Sequence, residues 1–429
     1  MAQLGFAFRV ACRASRFGTR TANLWRHNEI ARGTARFFTT KLEIISEAPN
    51  HIDVGETAED GKSVVLSKLW LRDCCRCEEC VDKETMQRKF NILAYRQDGP
   101  MSVESKDDDG FVMRFPDHHT SRFTWDWVRE QLPGFEILDM NPRKSMKLWN
   151  REILLRELPE VEYSEVMDPS SQEGMAKLCS KIRQSGICFV TGTPVTPEAT
   201  KELIESIGPI RQTHYGGFYD FQADHSKADS AYTNAALDLH TDTTYFTEPA
   251  GIQALHLLSH TPSSDEPSDE KLGGETILVD GFFVAHRQRM EFRSHFDLLQ
   301  RAPVRWHASG NADVAVIPDK DYPIIGTHLG VLQQIRWNMA DRGFLSLDVH
   351  AGKMIGAMRS WDSIMRRPEN KYQFQLAPGR VLLMDNWRIL HGRTAFTGDR
   401  RICGAYISRD DFVSKWKLTN FDRKEVSEV

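Results

Sequence analysis

The feature that most constrains the fold is a separation. The stretch Leu237-Asp238-Leu239-His240-Thr241-Asp242-Thr243-Thr244-Tyr245-Phe246 carries an imidazole and a carboxylate two residues apart, and Leu390-His391-Gly392 carries a second imidazole 151 residues after His240. In a β-rich setting, side chains two residues apart leave from one face of a strand, so His240 and Asp242 are expected to point together. Alone, that pair reads as a polar strand edge. With His391 it becomes two imidazoles and a carboxylate, the donor set of a facial iron(II) site with open coordination positions. Ligands so far apart in sequence meet only if the strands that carry them wrap into a barrel.

The sequence between and around these ligands supplies the wall. Glu173 to Ser185 has apolar residues at Met175, Leu178 and Ile182, a helical period, and Gly186 stops it. Ile187 to Val190 is a short apolar run that suits a buried strand, and Thr196-Pro197-Glu198 opens another helix that ends near Gly208. Thr213 to Phe221 reads as an aromatic strand, Gly251 to Leu258 as a buried one, and Glu275 to Asp280 as a strand lining a cavity. Ala285 to Leu299 and residues 348–366 read as helices, and residues 304–338 alternate, with Gln334, Arg336 and Asn338 to one side. Pro378-Gly379 turns the chain into the apolar strand that delivers His391 at its end, and Arg400 stands before a strand from Ile402 to Ser408. A co-substrate with a carboxylate far from the metal needs a fixed cation, and the planar fork of Arg400 suits one, with the Thr276 hydroxyl beside it.

Cysteine usage marks a second centre. Of eight cysteines, four lie in Cys74-Cys75-Arg76-Cys77-Glu78-Glu79-Cys80, too crowded for a disulfide framework and suited to a thiolate metal clip. Cys75, Cys77 and Cys80 with His119, which follows the turn Phe115-Pro116-Asp117-His118, make a candidate Cys₃His structural zinc site; Cys74 and His118 are the competing ligands. Leu69 to Asp73 and Phe123 to Trp127 read as strand and helix-start segments of a small β-rich domain.

Composition sets the remaining bounds. Apolar content of 40% and charged content of 27% are those of a globular chain, and no apolar run reaches the length of a membrane span. The net charge of −5 hides an asymmetry: residues 1–40 hold seven arginines against the single acid Glu29. Such an Arg-rich, acid-poor leader reads as a mitochondrial transit peptide. The acidic remainder has no basic footprint for nucleic acid.

His240-Thr241-Asp242, Gly273-Gly274-Glu275-Thr276, Asp385-Asn386-Trp387-Arg388-Ile389-Leu390-His391-Gly392-Arg393, Arg400 and the Cys75 to Cys80 cluster behind Trp70-Leu71-Arg72-Asp73 resemble the iron(II)/2-oxoglutarate-dependent oxygenases of the carnitine pathway over about residues 42–418. Within that family, Val279-Asp280-Gly281-Phe282 and Gly392-Arg393-Thr394-Ala395-Phe396-Thr397-Gly398 look most like the branch that acts on trimethyllysine. The resemblance implies a mainly β chain with flanking helices. Its parts are a transit peptide (1–40), a β-rich zinc-binding domain (41–138), a connector (139–170) and a double-stranded β-helix, the jelly-roll or cupin barrel (171–429). It implies iron(II) on His240, Asp242 and His391, 2-oxoglutarate held at Arg400 and Thr276, ascorbate as reductant, structural zinc, and a homodimer in the mitochondrial matrix. It also implies an aromatic cage of Tyr215, Tyr219, Tyr232 and Tyr406 for a trimethylammonium group, with Asn338 and Asn234 at the substrate's other end; Tyr219 stands where the resemblance expects tryptophan. The reaction implied is 3-hydroxylation of N6,N6,N6-trimethyllysine, using O₂ and 2-oxoglutarate. The alternatives are γ-butyrobetaine hydroxylation and a non-catalytic cupin-like binding protein.

Overall fold

The computed structural model describes residues 41–56, 63–96, 98–131, 146–222, 233–262, 272–310, 314–328, 330–347, 349–423 and 426. The leader, the turn Asp139 to Pro142 and Tyr232 lie outside them. The chain divides into two compact units, 1–135 and 136–429.

The first unit holds two antiparallel meanders, β1 (Leu42–Glu47), β2 (His51–Glu56) and β3 (Ser63–Ser67), then β4 (Ser102–Asp107), β5 (Gly110–Arg114) and β6 (Thr120–Thr124). Each presents one apolar face to a shared core: Leu42, Ile52, Val54 and Leu66 from one, Phe111, Met113 and Phe123 from the other, closed by Leu71 and Trp125. Leu69 to Asp73 is helical rather than extended (Lys68–Asp73), because the Ser67 hydroxyl accepts the Trp70 amide and caps the turn.

The second unit is a double-stranded β-helix. Its larger sheet runs β7 (Glu160–Glu162), β8 (Ile187–Thr191), β16 (Arg380–Asp385), β11 (Ile252–Thr261), β18 (Asp399–Ile407), β9 (Tyr219–Gln222). Its smaller sheet runs β10 (Leu237–His240), β17 (Ile389–Arg393), β12 (Thr276–Asp280), β15 (Tyr372–Phe374), and a separate hairpin pairs β13 (Ile325–His328) with β14 (Val331–Ile335). β7 and a helix at Arg151–Arg156 put residues 147–162 inside this unit, with Trp149 and Leu154 in its core.

Two-residue periodicity sorts the side chains. Phe189, Leu257, Leu278, Leu382, Met384, Ile389 and Ile402 fill the space between the sheets. Their neighbours Cys188, Val190, Ala254, Leu383, Ala405 and Ile407 face outward beneath helices Glu173–Ser185, Pro197–Ile207 and Arg409–Asn420. On the opposite side Leu239, Val279 and Leu390 meet helices Gly281–Glu291, Arg293–Arg301 and Ala351–Met365. Both sheets are covered on both faces, which is why their strands read as continuous apolar runs. The same parity sends His391, Arg393, Thr276, Arg400, Tyr406 and Gln253 into the barrel.

Some expectations shift. The helix from Ala285 to Leu299 is two helices that meet at Phe292, whose extended φ (−138°) breaks the run. The alternating region 304–338 yields only the short β13–β14 hairpin plus isolated bridges such as Val304 to Tyr322. Pro318 and Pro323 lack the N–H that a longer ladder needs. The aromatic strand expected over Thr213 to Phe221 starts only at Tyr219, since Thr213 and Gly216 close a tight turn, with Gly216 at φ +101°. His391 lies mid-strand rather than at an end, and Arg400 is inside β18.

Candidate metal centres

In the barrel, strand register builds the site. β10 pairs with β17 so that His240 lies opposite His391, and their ring centroids are 4.3 Å apart. β10 ends at His240, so Asp242 belongs to the following turn and not to the strand that the spacing predicts. That turn is folded back by Thr243, which adopts a left-handed φ of +54°. Distant residues fix it there. The Asp242 amide donates to Asn386 Oδ1 (2.7 Å), while Asn386 Nδ2 donates to the carbonyls of Asp242 (3.0 Å) and Ala250 (2.9 Å). Arg336, buried, donates to the carbonyls of Thr244, Phe246 and Thr247 just beyond.

The result is a compact donor triad. Asp242 Oδ1 lies 3.1 Å from His240 Nε2 and 3.5 Å from His391 Nε2, and one ligand atom from each residue falls within 4.8 Å of the others. His240 Nδ1 donates to the Asp238 carbonyl (2.7 Å), which fixes the tautomer that leaves Nε2 as an acceptor facing the other two. The second carboxylate oxygen, Oδ2, accepts from Gln253 Nε2 (2.6 Å) and the Tyr406 hydroxyl (2.7 Å). One oxygen is thus held by the protein and the other faces the two imidazole nitrogens.

Charge balance follows. Burial works against ionisation of Asp242, but the flanking imidazoles of His391 and His240 outweigh it and hold its carboxyl well below the usual range. Burial lowers the proton affinity of His391, so this ring is ready as a neutral ligand. At His240 burial also opposes the charged ring, yet the Asp242 carboxylate prevails and raises its pKa. Burial, then Asp242, raises Tyr406 far above an ordinary phenol, so it remains a donor.

Further along β18 the barrel holds a buried cation. Arg400 is 7% exposed, its Nε has no hydrogen-bond partner, and burial followed by the charge of Arg393 pushes it down to about 10, still protonated at neutral pH. A buried guanidinium with an unsatisfied donor is costly without an anion. A ligand carboxylate removes that cost, and buried Thr276 faces the same interior. Phe396 packs between Arg400 and Arg393, whose guanidinium carbons lie 5.4 and 4.6 Å from its ring centroid.

The remaining expected residues among those described take these places. The Tyr219 and Tyr406 rings are 6.0 Å apart, and Tyr219 donates to the Ala254 carbonyl. Tyr215 hydrogen-bonds through its side chain to buried Tyr245. Asn338 Nδ2 donates to Asp341 Oδ2 and its Oδ1 accepts the Ala340 amide, while exposed Asn234 accepts the Phe396 amide on its carbonyl. Gln253 and Asn386 had no role in the sequence reading. Gln253 could have been found as the polar residue in the apolar run Gly251 to Leu258.

In the first unit, the cysteine cluster closes on one histidine. Nε2 of His119 lies 3.2 Å from Cys75 Sγ and 3.6 Å from the sulfurs of Cys77 and Cys80. Metal bonds of about 2.3 Å to sulfur and 2.0 Å to nitrogen, opened at a tetrahedral angle, put S and N about 3.5 Å apart, so the set fits zinc. Cys74 and His118 are outside this group. His118 instead makes the left-handed turn (φ +63°) that presents His119. Around the donors, Arg72 donates to Cys80 Sγ (3.2 Å) and to Asp117 Oδ2 (2.7 Å), and His119 Nδ1 lies 3.2 Å from Glu79 Oε2.

Comparisons with known proteins agree with both units. The family model described as "Taurine catabolism dioxygenase TauD, TfdA family" matches residues 146–406, and "Gamma-butyrobetaine hydroxylase-like, N-terminal" matches residues 56–129. The chain is 41% identical over 421 residues to a trimethyllysine dioxygenase of Neurospora crassa, covering 91% of this chain and 88% of that one. It is 36% identical over 361 residues to the human protein named trimethyllysine dioxygenase, mitochondrial, covering 82% of each. A gamma-butyrobetaine dioxygenase of a Pseudomonas species is 28% identical over 396 residues, covering 89% of this chain and 97% of that one.

Proposed function

Because the chain belongs to the TauD/TfdA dioxygenase family, among the trimethyllysine dioxygenases, we propose that it catalyses the iron(II)- and 2-oxoglutarate-dependent hydroxylation of N6,N6,N6-trimethyllysine at C3, the entry step of carnitine synthesis. The observation that carries this reading is the His240–Asp242–His391 triad, sharing one interior with the buried, anion-seeking Arg400.

In this reading His240, Asp242 and His391 hold iron(II), and Arg400 with Thr276 binds the far carboxylate of 2-oxoglutarate. Bound iron and 2-oxoglutarate supply oxidation: O₂ is consumed, 2-oxoglutarate leaves as succinate and CO₂, and one oxygen atom enters a C–H bond. The chain's own residues orient and exclude. Gln253 and Tyr406 hold the Oδ2 oxygen of Asp242, so that Oδ1 is the oxygen that would be left for the metal, and the Asp238 carbonyl keeps the His240 ring turned. The packed strands around them keep bulk water from the reacting carbon. Tyr215, Tyr219, Tyr232 and Tyr406 offer ring faces to the trimethylammonium group, which has no N–H to donate; each ring contributes roughly 0.5–2 kcal/mol. Asn338 and Asn234 serve the substrate's other end.

Cys75, Cys77, Cys80 and His119 hold a structural zinc, ascorbate keeps the iron reduced, and the enzyme acts as a homodimer in the mitochondrial matrix, in keeping with the mitochondrial names of its mammalian relatives. Among the described residues no helix is long and apolar enough to cross a membrane. The test is incubation with iron(II), ascorbate, 2-oxoglutarate and either trimethyllysine or γ-butyrobetaine, with product identified by mass. The expected result is hydroxytrimethyllysine and one succinate per product. Turnover of γ-butyrobetaine alone would move the chain to the sister activity, and no turnover of either would favour a binding protein.

A further inference from the structure

We propose that Thr243 is a positioning residue for the barrel triad: its hydroxyl holds the turn after Asp242 in a backbone conformation that threonine disfavours, and so aims the Asp242 carboxylate at the two imidazoles. This rests on the triad as the iron(II) site. Among the described residues, Met86, His118 and Thr243 are the non-glycine residues with positive φ. Two of them adjoin a candidate metal ligand, His118 before His119 and Thr243 after Asp242. Thr243 is the one branched at Cβ, and for such a side chain a left-handed φ of +54° is a genuine outlier. Glycine would take the same φ without strain. A strained residue persists where its surroundings over-determine it, and such residues gather at functional sites.

What threonine offers here is an oxygen. Thr243 Oγ1 accepts the amide of Ala250 (2.8 Å), which is completely buried, and Thr243 itself is 4% exposed. The Thr243 carbonyl accepts the Phe246 amide (3.0 Å), which closes the turn. Ala250 is held on its other side too. Its carbonyl accepts from Asn386 Nδ2 (2.9 Å), and the same nitrogen donates to the Asp242 carbonyl (3.0 Å), while Asn386 Oδ1 accepts the Asp242 amide (2.7 Å). Residues 242, 243, 250 and 386 thus close a ring of hydrogen bonds. Three residues beyond Ala250, Gln253 Nε2 donates to Asp242 Oδ2 (2.6 Å). The Thr243 bond therefore fixes the backbone that carries Asp242 against the strand that carries Gln253. The direction of the carboxylate depends on both: with Oδ2 tied to Gln253, Oδ1 falls 3.1 Å from His240 Nε2 and 3.5 Å from His391 Nε2.

The experiment compares wild type with three variants. Thr243→Gly relieves the strained φ and removes the hydroxyl, Thr243→Val keeps the shape and removes the hydroxyl, and Thr243→Ser keeps the hydroxyl. Iron(II) affinity is read by anaerobic titration of the iron-free, zinc-loaded protein, and folding by the melting temperature of the same protein before iron is added. Thr243→Gly is expected to bind iron(II) about 10- to 100-fold more weakly, the range usual for groups that orient a metal ligand. Its melting temperature stays within about 3 °C of wild type, because the lost hydrogen bond and the relieved strain act in opposite directions. Thr243→Val loses affinity to a similar extent and also melts lower, since it keeps the strain without the bond, and Thr243→Ser binds iron(II) within about threefold of wild type. Unchanged iron affinity in Thr243→Gly, or an equal loss in Thr243→Ser, overturns the proposal. A melting temperature that falls in step with affinity in Thr243→Gly assigns Thr243 a purely structural role and overturns it as well. Wild-type protein that retains no iron overturns the metal reading, and the proposal with it.

Discussion

The two clusters of candidate metal donors, one rich in thiolates and the other made of imidazoles and a carboxylate, are built in opposite ways. The cysteine cluster takes three of its four donors from six consecutive residues, and the four together would complete a tetrahedron around zinc and leave no position for a substrate. The barrel triad takes its donors from two strands and a turn, with the two histidines 151 residues apart, and three donors would leave coordination positions free on a metal held there. A closed site stabilises the fold that surrounds it. An open site depends on its fold, so its geometry is held by hydrogen bonds from Asn386, Gln253, Tyr406 and Asp238 rather than by the ligands themselves.

The comparison can be broken most directly at the ligands. His240→Ala should lower product formation by about 10³-fold or more, roughly 4 kcal/mol of barrel chemistry, with circular dichroism and zinc content unchanged. Unaltered 2-oxoglutarate consumption in that variant would remove the triad from the mechanism. Cys77→Ser should do the reverse: zinc is lost and the first unit destabilised by on the order of several kcal/mol, while turnover per folded molecule stays within about twofold. Full solubility with zinc retained would mean that Cys77 is not a ligand.

A third prediction concerns what holds the barrel together at low pH. His256 is completely buried, bonded to the Thr200 hydroxyl (2.6 Å) and accepting the Gly379 amide (3.0 Å), and burial pushes it down to about 4. The unfolded chain takes up a proton near the ordinary imidazole value of about 6.5. Stability is therefore full above that value and declines as pH falls towards 4, by about 3 kcal/mol from this residue. Urea midpoints of wild type and His256→Gln between these pH values should diverge in slope; parallel curves would show that His256 contributes nothing. The smallest effect is expected at Tyr406→Phe, which removes one bond to Asp242 Oδ2. A five- to twenty-fold loss in kcat, about 1–2 kcal/mol, should accompany weaker iron retention. A variant that loses trimethyllysine affinity with iron retention unchanged would instead place Tyr406 in the substrate cage alone.

Local physics made much of this legible in the sequence. Gly186, at φ +75°, ends its helix, and Thr196 caps the helix at Pro197–Ile207, because such signals act within a few residues. The apolar runs at Ile187 to Val190 and Gly251 to Leu258 became strands because sheets covered on both faces demand them. That His240, Asp242 and His391, and Cys75, Cys77, Cys80 and His119, would converge could be read because few donor types and spacings suit such sites. The position of Asp242 could not be read from spacing. The turn that carries it is set by Asn386, Trp337 and Arg336, about a hundred or more residues away, and nothing near Asp242 announces them. Tyr406 enters only through the family resemblance, as a cage ring, and its hydroxyl bond to Asp242 depends on β18 lying beside β11.

The most direct measurement is an anaerobic titration of iron-free, zinc-loaded protein with iron(II), each point assayed for trimethyllysine-dependent succinate. The account predicts that turnover rises linearly and saturates at one iron per chain, with one zinc per chain retained throughout. Turnover that ignores added iron, or that needs the zinc replaced before it appears, would contradict the division between an open catalytic centre and a closed structural one.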